Sequence, residues 1–453
     1  MSLVTALRTG RVAHAPAAAL APASGITLQS RGYAAPAKPA QKTASKFKRK
    51  NQDPEKNKRG PRDPGSFRPM SVANLTHPIF QSEQRSQLKL PLFRPEALTP
   101  AAATKAMAFP QDESPALKAF GLPRNILVDY LLLAKPCSVV RQVTVDVLDQ
   151  LDNAAGSSSL DSRIVLTGKA GSGKSYLMLQ AVQYCIQKEW LTLYIPRVAI
   201  SLVNSSTAYA YDARTQTYGQ PAFAQQLLKR FADVNAALLQ SLTVQNSYPL
   251  EDRTVPTGAP LADLINVGTE IQNYAPTVLN ALLDELALQT KYPVLLAVDD
   301  FQALYCTSQY RDPFFRSVKS YHLMLPRALL EFASGKKSFV RSWCVPRRTL
   351  HAMTRNTARP LELIEALGLE PLGPSNPYVP RLPELVDYAK GLKNFPVPEQ
   401  LTVDEAASIY DVWQQSKALH IPLADEMFLA KYTEANGNAG KFVKDGLLET
   451  VAM

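Results

Sequence analysis

The chain has 453 residues, 46% of them hydrophobic, and a net charge of +11, so it is too long for one small domain and has enough apolar material for a real core. No run approaches the roughly 18 apolar residues needed to cross a bilayer, so no membrane insertion is expected. Four cysteines, Cys137, Cys185, Cys306 and Cys344, are widely spaced without a CxxC pair, which argues against a zinc site or a disulfide framework.

The positive charge is concentrated at the start. Residues 1–51 contain no Asp or Glu, but carry Arg8, Arg11, Arg31, Lys38, Lys42, Lys46, Lys48, Arg49 and Lys50. The Ala- and Ser-rich opening is composed like a mitochondrial transit peptide over 1–33, with "RGYAAP" as the processing site near Tyr33. The segment 34–120 reads as a basic, Pro-rich extended arm. Its Lys/Arg-rich first part cannot bury enough surface to order itself and suits an RNA backbone. Its irregular second part suggests packing onto something else.

"RNILVDYLLLAKPCSVVRQVTVDVLDQLDNA" predicts helix in two pieces, divided at Pro136. "RIVLTG" then reads as a short buried strand, followed by the Gly-rich "GKAGSGKS" at 168–175 and a helix from Lys174 to about Gln187. "WLTLYIPR" predicts a second strand, "FAQQLLKRFADVNAALLQSL" and "APTVLNALLDELALQT" two amphipathic helices, and "YPVLLAVDDFQALY" a third buried strand ending in two carboxylates. Alternating strands and helices predict an α/β fold with a parallel sheet covered on both faces. The stretch 337–359 is Arg-rich, contains Pro346, and reads as irregular.

Gly168, Gly173, Lys174 and Ser175 match the G-x-x-x-x-G-K-[ST] pattern between a strand and a helix, the context that a phosphate-binding loop requires. Gly168, Gly171 and Gly173 let successive N–H groups turn inward as an anion nest, and the helix N-terminus favours a phosphate there. Lys174 would reach the β/γ-phosphates and the Ser175 hydroxyl would ligate Mg²⁺, with Lys169, Ala170 and Ser172 completing the loop. Asp299, at the end of a neighbouring strand, is the expected acidic partner of Mg²⁺. Asp300 either orients a water or caps the next helix. No Asn-Lys-x-Asp motif reads guanine, so the residues alone do not choose between GTP or GDP and ATP. Neither a polar sensor nor an arginine finger is placed among Arg341, Arg347, Arg348 and Arg355, so weak or no hydrolysis is expected.

The chain resembles the family of the mitochondrial small-subunit ribosomal protein 29, also called death-associated protein 3. The resemblance rests on the phosphate loop, "KEWLTLYIPR", "GAPLADLINVG" with Gly258, Leu261 and Gly268, "LLAVDDFQALY", "LELIEALGLEPLGPSNPYVP", "LTVDEAASIYDVWQQSKAL" and "TEANGNAGKFVKDGL". It implies a P-loop nucleotide-binding domain of AAA+-like topology over 121–360 and a small, mainly helical, winged-helix-like domain over 361–453. It also implies a guanine nucleotide with Mg²⁺ held in the head of the small subunit in the mitochondrial matrix. The partners implied are small-subunit rRNA, neighbouring ribosomal proteins and the large subunit, rather than further copies of the chain. Two alternatives stay open: an NTPase switch that cycles, and a P-loop protein linked to cell death away from the ribosome.

Overall fold

The computed structural model describes residues 88–110, 119–250, 253–340, 342–346, 360–369, 378, 380–416, 418–419 and 424–448. The expected transit peptide, the basic part of the arm, and Arg341, Arg347, Arg348 and Arg355 lie outside the described residues.

In chain order the elements that position the site are β1 (Ala106–Ala108), α1 (Arg124–Leu132), β2 (Cys137–Val139), α2 (Gln142–Ala154), β3 (Ile164–Thr167), α3 (Lys174–Gln187) and β4 (Leu191–Ile195). They continue with α4 (Pro221–Leu239), α5 (Leu261–Glu270), α6 (Ala275–Leu288), β5 (Val294–Val298), α7 (Met324–Ser334), β6 (Ser342–Pro346), β7 (Lys393–Pro396), α8 (Val403–Gln415) and α9 (Asp425–Glu434).

β3, β4 and β5 are the three apolar runs of the sequence, and every residue of each is buried. β4 and β5 run parallel, Leu191 opposite Val294 and Ile195 opposite Val298. β6 adds to the other side of β5 in parallel, with Ser342 opposite Val294. That strand corrects the expectation of an irregular stretch over 337–359: Pro346 stands at its last position, where a proline is tolerated. β7 pairs in parallel with β3, Lys393 opposite Ile164, and β6 lies beside β3.

The second correction concerns 137–140. Where a helix was expected, β2 pairs antiparallel with β1, Val139 opposite Ala106. Pro136 ends the helical stretch, and β-branched Val139 fits a pleated surface. The described part of 88–120 packs onto the chain itself. Phe93, Phe109 and Phe120 are buried in one cluster with α2 and α3, while Leu88 and Ala108 share a cluster with Tyr410, Trp413 and Phe442 from the C-terminal part. Packing therefore crosses both expected boundaries, at 120 and at 360. Among the described residues after 360, β7 is the one strand, and it belongs beside β3; the rest of that region is helical.

Among the described residues β4 pairs only with β5, which leaves Thr192 on an open edge. Asn235 closes it, its Oδ1 accepting from Thr192 N at 2.9 Å and its Nδ2 donating to Thr192 O at 3.1 Å. The cost is a local kink, for Asn235 has non-helical φ −103° and ψ 15° inside α4. A side chain thereby covers an edge that would otherwise template pairing. α5 approaches α4 and α6 closely at Gly268, where a Cβ would stand 2.6 Å from Leu228 Cδ1 and 2.8 Å from Val278 Cγ1. Gly268→Ala is expected to destabilise the chain by about 1–3 kcal/mol through overpacking, read as a lowered midpoint in urea unfolding. An unchanged midpoint would show that the three helices give way freely.

Candidate nucleotide site

The loop between β3 and α3 needs its glycines. Gly168, Gly171 and Gly173 have φ of 139°, 81° and 91°, a region that other residues enter only with strain. A Cβ on Gly168 would also lie 2.9 Å from the Val397 carbonyl oxygen. Lys174 begins α3 and is 2% exposed. Its Nζ curls back to donate to Gly168 O at 2.9 Å, Lys169 O at 2.5 Å and Ser172 Oγ at 3.0 Å. A buried ammonium at the mouth of a helix N-terminus is the charge arrangement that a phosphate group complements.

Two distant parts of the chain hold the loop from outside. Arg141, just before α2, donates from Nη1 to Ser172 O at 2.8 Å, from Nη2 to Gln400 O at 3.0 Å, and from Nε to Glu405 Oε2 at 3.0 Å. Glu405 also receives the N–H of Thr402 at 3.1 Å, while Thr402 Oγ1 accepts from Glu405 N, so a reciprocal capping box at the start of α8 fixes the carboxylate. From the other side, Asn438 Nδ2 donates to Ala170 O at 2.9 Å and Gly440 N to Gly171 O at 2.7 Å. The fit is tight, because a Cβ on Gly171 would meet Asn438 Oδ1 at 2.2 Å. Asn438 Oδ1 also caps Lys441 N at 3.1 Å. Asn438→Ala is expected to cost about 1–2 kcal/mol from the lost cap and loop contact, measured by thermal unfolding. A variant as stable as the parent would show that the contact does not hold the loop.

β4 and β5 end together on the same side. Asp299 N donates to Ile195 O at 3.0 Å and Val198 N to Asp299 O at 3.1 Å. Asp299 is 2% exposed, and its Oδ1 accepts from Asp300 N at 2.9 Å. Arg197 and Asp300, each the residue at the turn, take left-handed φ of 50° and 60°.

These elements enclose a cavity of about 480 Å³, within the range of small-molecule sites. Ala170, Gly171, Ser172, Gly173, Lys174, Ser175 and Asp299 line it, so seven of the nine residues expected at the site share one space. The other two stand outside it. Gly168 lies beneath the loop against Val397, and Lys169 turns away to an exposed ion pair with Glu399 at 2.6 Å. Among the described residues no group of three or more His, Cys, Asp or Glu side chains is assembled to hold a metal. The hydroxyl of Ser175 and the carboxylate of Asp299 would suit Mg²⁺ only together with phosphate oxygens.

The cavity lining also includes Asp129, Cys137, Tyr176, Ile409, Trp413 and Lys444. Tyr176 follows Ser175 on the first turn of α3 and donates from its hydroxyl to Asp129 Oδ2 at 2.8 Å. That is the one hydrogen bond to the Asp129 carboxylate among the described residues. Burial pushes the Asp129 carboxyl up to about 6, against the opposing pull of the Tyr176 hydrogen bond and the Lys444 ammonium. Beside it, Gln180 Nε2 donates to Ser138 Oγ at 2.8 Å and Val139 O at 3.0 Å, and accepts from Thr144 Oγ1 at 2.8 Å. Asp129, Arg141, Glu405 and Asn438 were not expected at the site. Only the Thr402-x-x-Glu405 box and the Asn-Gly-Asn-Ala-Gly run carried a local signal.

The chain matches the family model for mitochondrial ribosomal death-associated protein 3 over residues 138–445. It is 26% identical over 351 residues to a Neurospora crassa protein named small ribosomal subunit protein mS29, covering 75% of this chain and 74% of that one. A Mus musculus protein of the same name is 28% identical over 190 residues, 41% of this chain and 48% of the mouse protein. For the Schizosaccharomyces pombe protein of that name, identity is 23% over 242 residues, 52% of this chain and 51% of the relative.

Proposed function

Because the chain belongs to the mitochondrial ribosomal death-associated protein 3 family, we propose that it is a structural component of the mitochondrial small ribosomal subunit that holds a guanine nucleotide with Mg²⁺ in the cavity beside the phosphate loop. The ribosomal part rests on the relatives, each named as a small-subunit protein. The single observation that carries the nucleotide is the buried Lys174 ammonium at the N-terminus of α3, opening onto a cavity with Ser175 and Asp299 on its wall.

Residues suited to phosphate, to Mg²⁺ and to a base line the one cavity. Backbone N–H groups of the loop and the Lys174 ammonium, on release from its loop acceptors, would take the phosphates, and Ser175 with Asp299 would hold Mg²⁺, which neutralises phosphate charge when bound. On the same lining, the carboxylate of Asp129 is an acceptor. Guanine presents N1–H and a 2-amino group side by side as two donors, whereas adenine presents its 6-amino donor beside a bare N1, so a carboxylate pairs fully only with guanine. This supports guanine over adenine.

The strand succession also favours the P-loop reading of the fold. β4, β5 and β6 form one ladder, β6 lies beside β3, and β7 pairs with β3. A phosphate-loop strand flanked by the fourth and fifth strands of the sheet is the AAA+-like order. The winged-helix likeness has no wing among the described residues, and the C-terminal part serves this reading as a helical cap.

We favour a held ligand over a consumed one, because the loop is clamped at Ser172 by Arg141 and at Ala170 and Gly171 by Asn438 and Gly440. A ligand bound only by the folded chain stabilises it by about 4 kcal/mol at a thousandfold excess over its dissociation constant. The competing reading, cycling hydrolysis, has Arg197 and Asp300 on the cavity wall as its candidate groups. The test is extraction of nucleotide from purified mitochondrial small subunits, with identification by mass and a record of exchange over hours. Cosedimentation of the chain and a resident guanine nucleotide without phosphate release is the expected result. A resident adenine nucleotide would overturn the guanine assignment, and steady release of phosphate would replace the held ligand with cycling hydrolysis.

A further inference from the structure

The hairpin Thr307–Arg311/Ser317–Lys319 carries at its tip the sequence "RDPFFRS", and there Phe314 and Phe315 are 79% and 83% exposed. We propose that this tip is a docking surface for single-stranded RNA, with the two phenyl rings as stacking platforms for unpaired bases and the flanking arginines as phosphate contacts. The inference concerns the partner side of the ribosomal reading and is independent of the nucleotide cavity.

The rings are presented by a built turn rather than a slack loop. Asp312 Oδ1 accepts from Phe314 N at 2.9 Å and from Arg316 N at 2.7 Å, while Asp312 N donates to Arg316 O at 2.9 Å. Arg311 Nη1 donates to Phe315 O at 3.1 Å. Phe315 is held at φ 61°, a conformation that a bulky residue adopts only when its surroundings impose it. Below the tip, Tyr310 is buried, its hydroxyl receiving Gln220 Nε2 at 2.8 Å, and Ser308 Oγ donates to Val318 O at 2.6 Å. The platform is thus anchored while its rings stand in water.

The charge around the rings fits RNA. Arg311 and Arg316 flank them and are exposed. The adjoining hairpin, joined through the Tyr209 hydroxyl to Arg311 O and ring to ring with Tyr310 at 5.2 Å, adds exposed Tyr211 and Arg214. The two acids nearby are engaged by their own turns: Asp312 as above, and Asp212 through Arg214 N at 2.9 Å and Thr215 Oγ1 at 3.0 Å. What remains outward is aromatic and cationic, the pairing that binds unstacked bases.

The test uses the full chain and a double variant, Phe314→Ser with Phe315→Asn. Asparagine tolerates the left-handed backbone at 315, so the turn is kept while both rings are lost. Binding is measured to a mixed-sequence RNA of roughly 12 nucleotides, single-stranded or paired, at about 0.2 M salt, where the contribution of the basic arm is weakened. The expected result is an affinity for the single strand lowered about tenfold or more, with duplex binding and melting temperature unchanged. Equal affinity of variant and parent for the single strand would overturn the proposal. So would ultraviolet irradiation of intact small subunits that left the 311–316 peptide free of RNA adducts while chemical cross-links joined it to a protein. Failure of the chain to cosediment with the small subunit is a separate result and would strike the ribosomal reading instead.

Discussion

Lys174→Ala is expected to strip nucleotide from the purified chain, lowering affinity by about 3 kcal/mol, roughly two orders of magnitude, as removal of a buried charged partner does. Two effects act together. The ammonium is the buried cation at the mouth of the helix, and the same group ties Gly168 O, Lys169 O and Ser172 Oγ into one turn. Without it those acceptors lose their donor, and the ligand-free chain should lose about 1–3 kcal/mol as well. Titration calorimetry reads the first effect and thermal unfolding without nucleotide the second. Lys169→Ala is the control: its side chain is paired with Glu399 in solvent, 61% and 48% exposed, and such pairs are worth about 0–1 kcal/mol. Normal nucleotide content in Lys174→Ala would refute the site.

Asp129→Asn should exchange one base preference for another. An amide at this position donates as well as accepts, and it suits xanthine, whose 2-oxo group replaces the 2-amino donor of guanine. Affinity for guanosine diphosphate is expected to fall about a hundredfold and affinity for xanthosine diphosphate to rise by a similar factor, since an unpaired polar group in such a pocket costs about 2–3 kcal/mol. The carboxyl adds a pH signature. Burial raises it from 3.8 to about 6, so guanine affinity of the parent should weaken as pH falls through 6, while the Asn variant stays flat. Stability without ligand moves the other way. The folded chain binds this proton more tightly than the unfolded one, so that contribution is present below the unfolded value and is lost as pH rises from about 4 through 6. A variant that binds both bases as the parent does would refute the role of Asp129 and leave the phosphate end standing.

Much of this was legible because it is local. The phosphate loop is a contiguous motif, and β3, β4 and β5 are short, mostly apolar runs of strand length bounded by turn residues. β7, "KNFP", has no such run and is mostly exposed; it becomes a strand because β3 offers it a ladder. Asp129 is hidden inside "NILVDYLLL", where one acid in an apolar helix carries no sign of its partner. Tyr176, which binds it, lies 47 residues away. Arg141 is 264 residues from Glu405, and Asn438 is 268 from Ala170. No periodicity encodes such pairs; only the folded chain brings them together.

The contact of Asn438 and Gly440 with the loop has a temporal meaning. The phosphate loop is synthesised well before the residues that close over it, so a chain still emerging from a ribosome has the loop without its cover. A nucleotide bound as proposed would then be captured last, and its retention would mark a chain whose C-terminal part has closed over the loop. A chain cut short before Asn438 would lack both contacts that close the loop from this side.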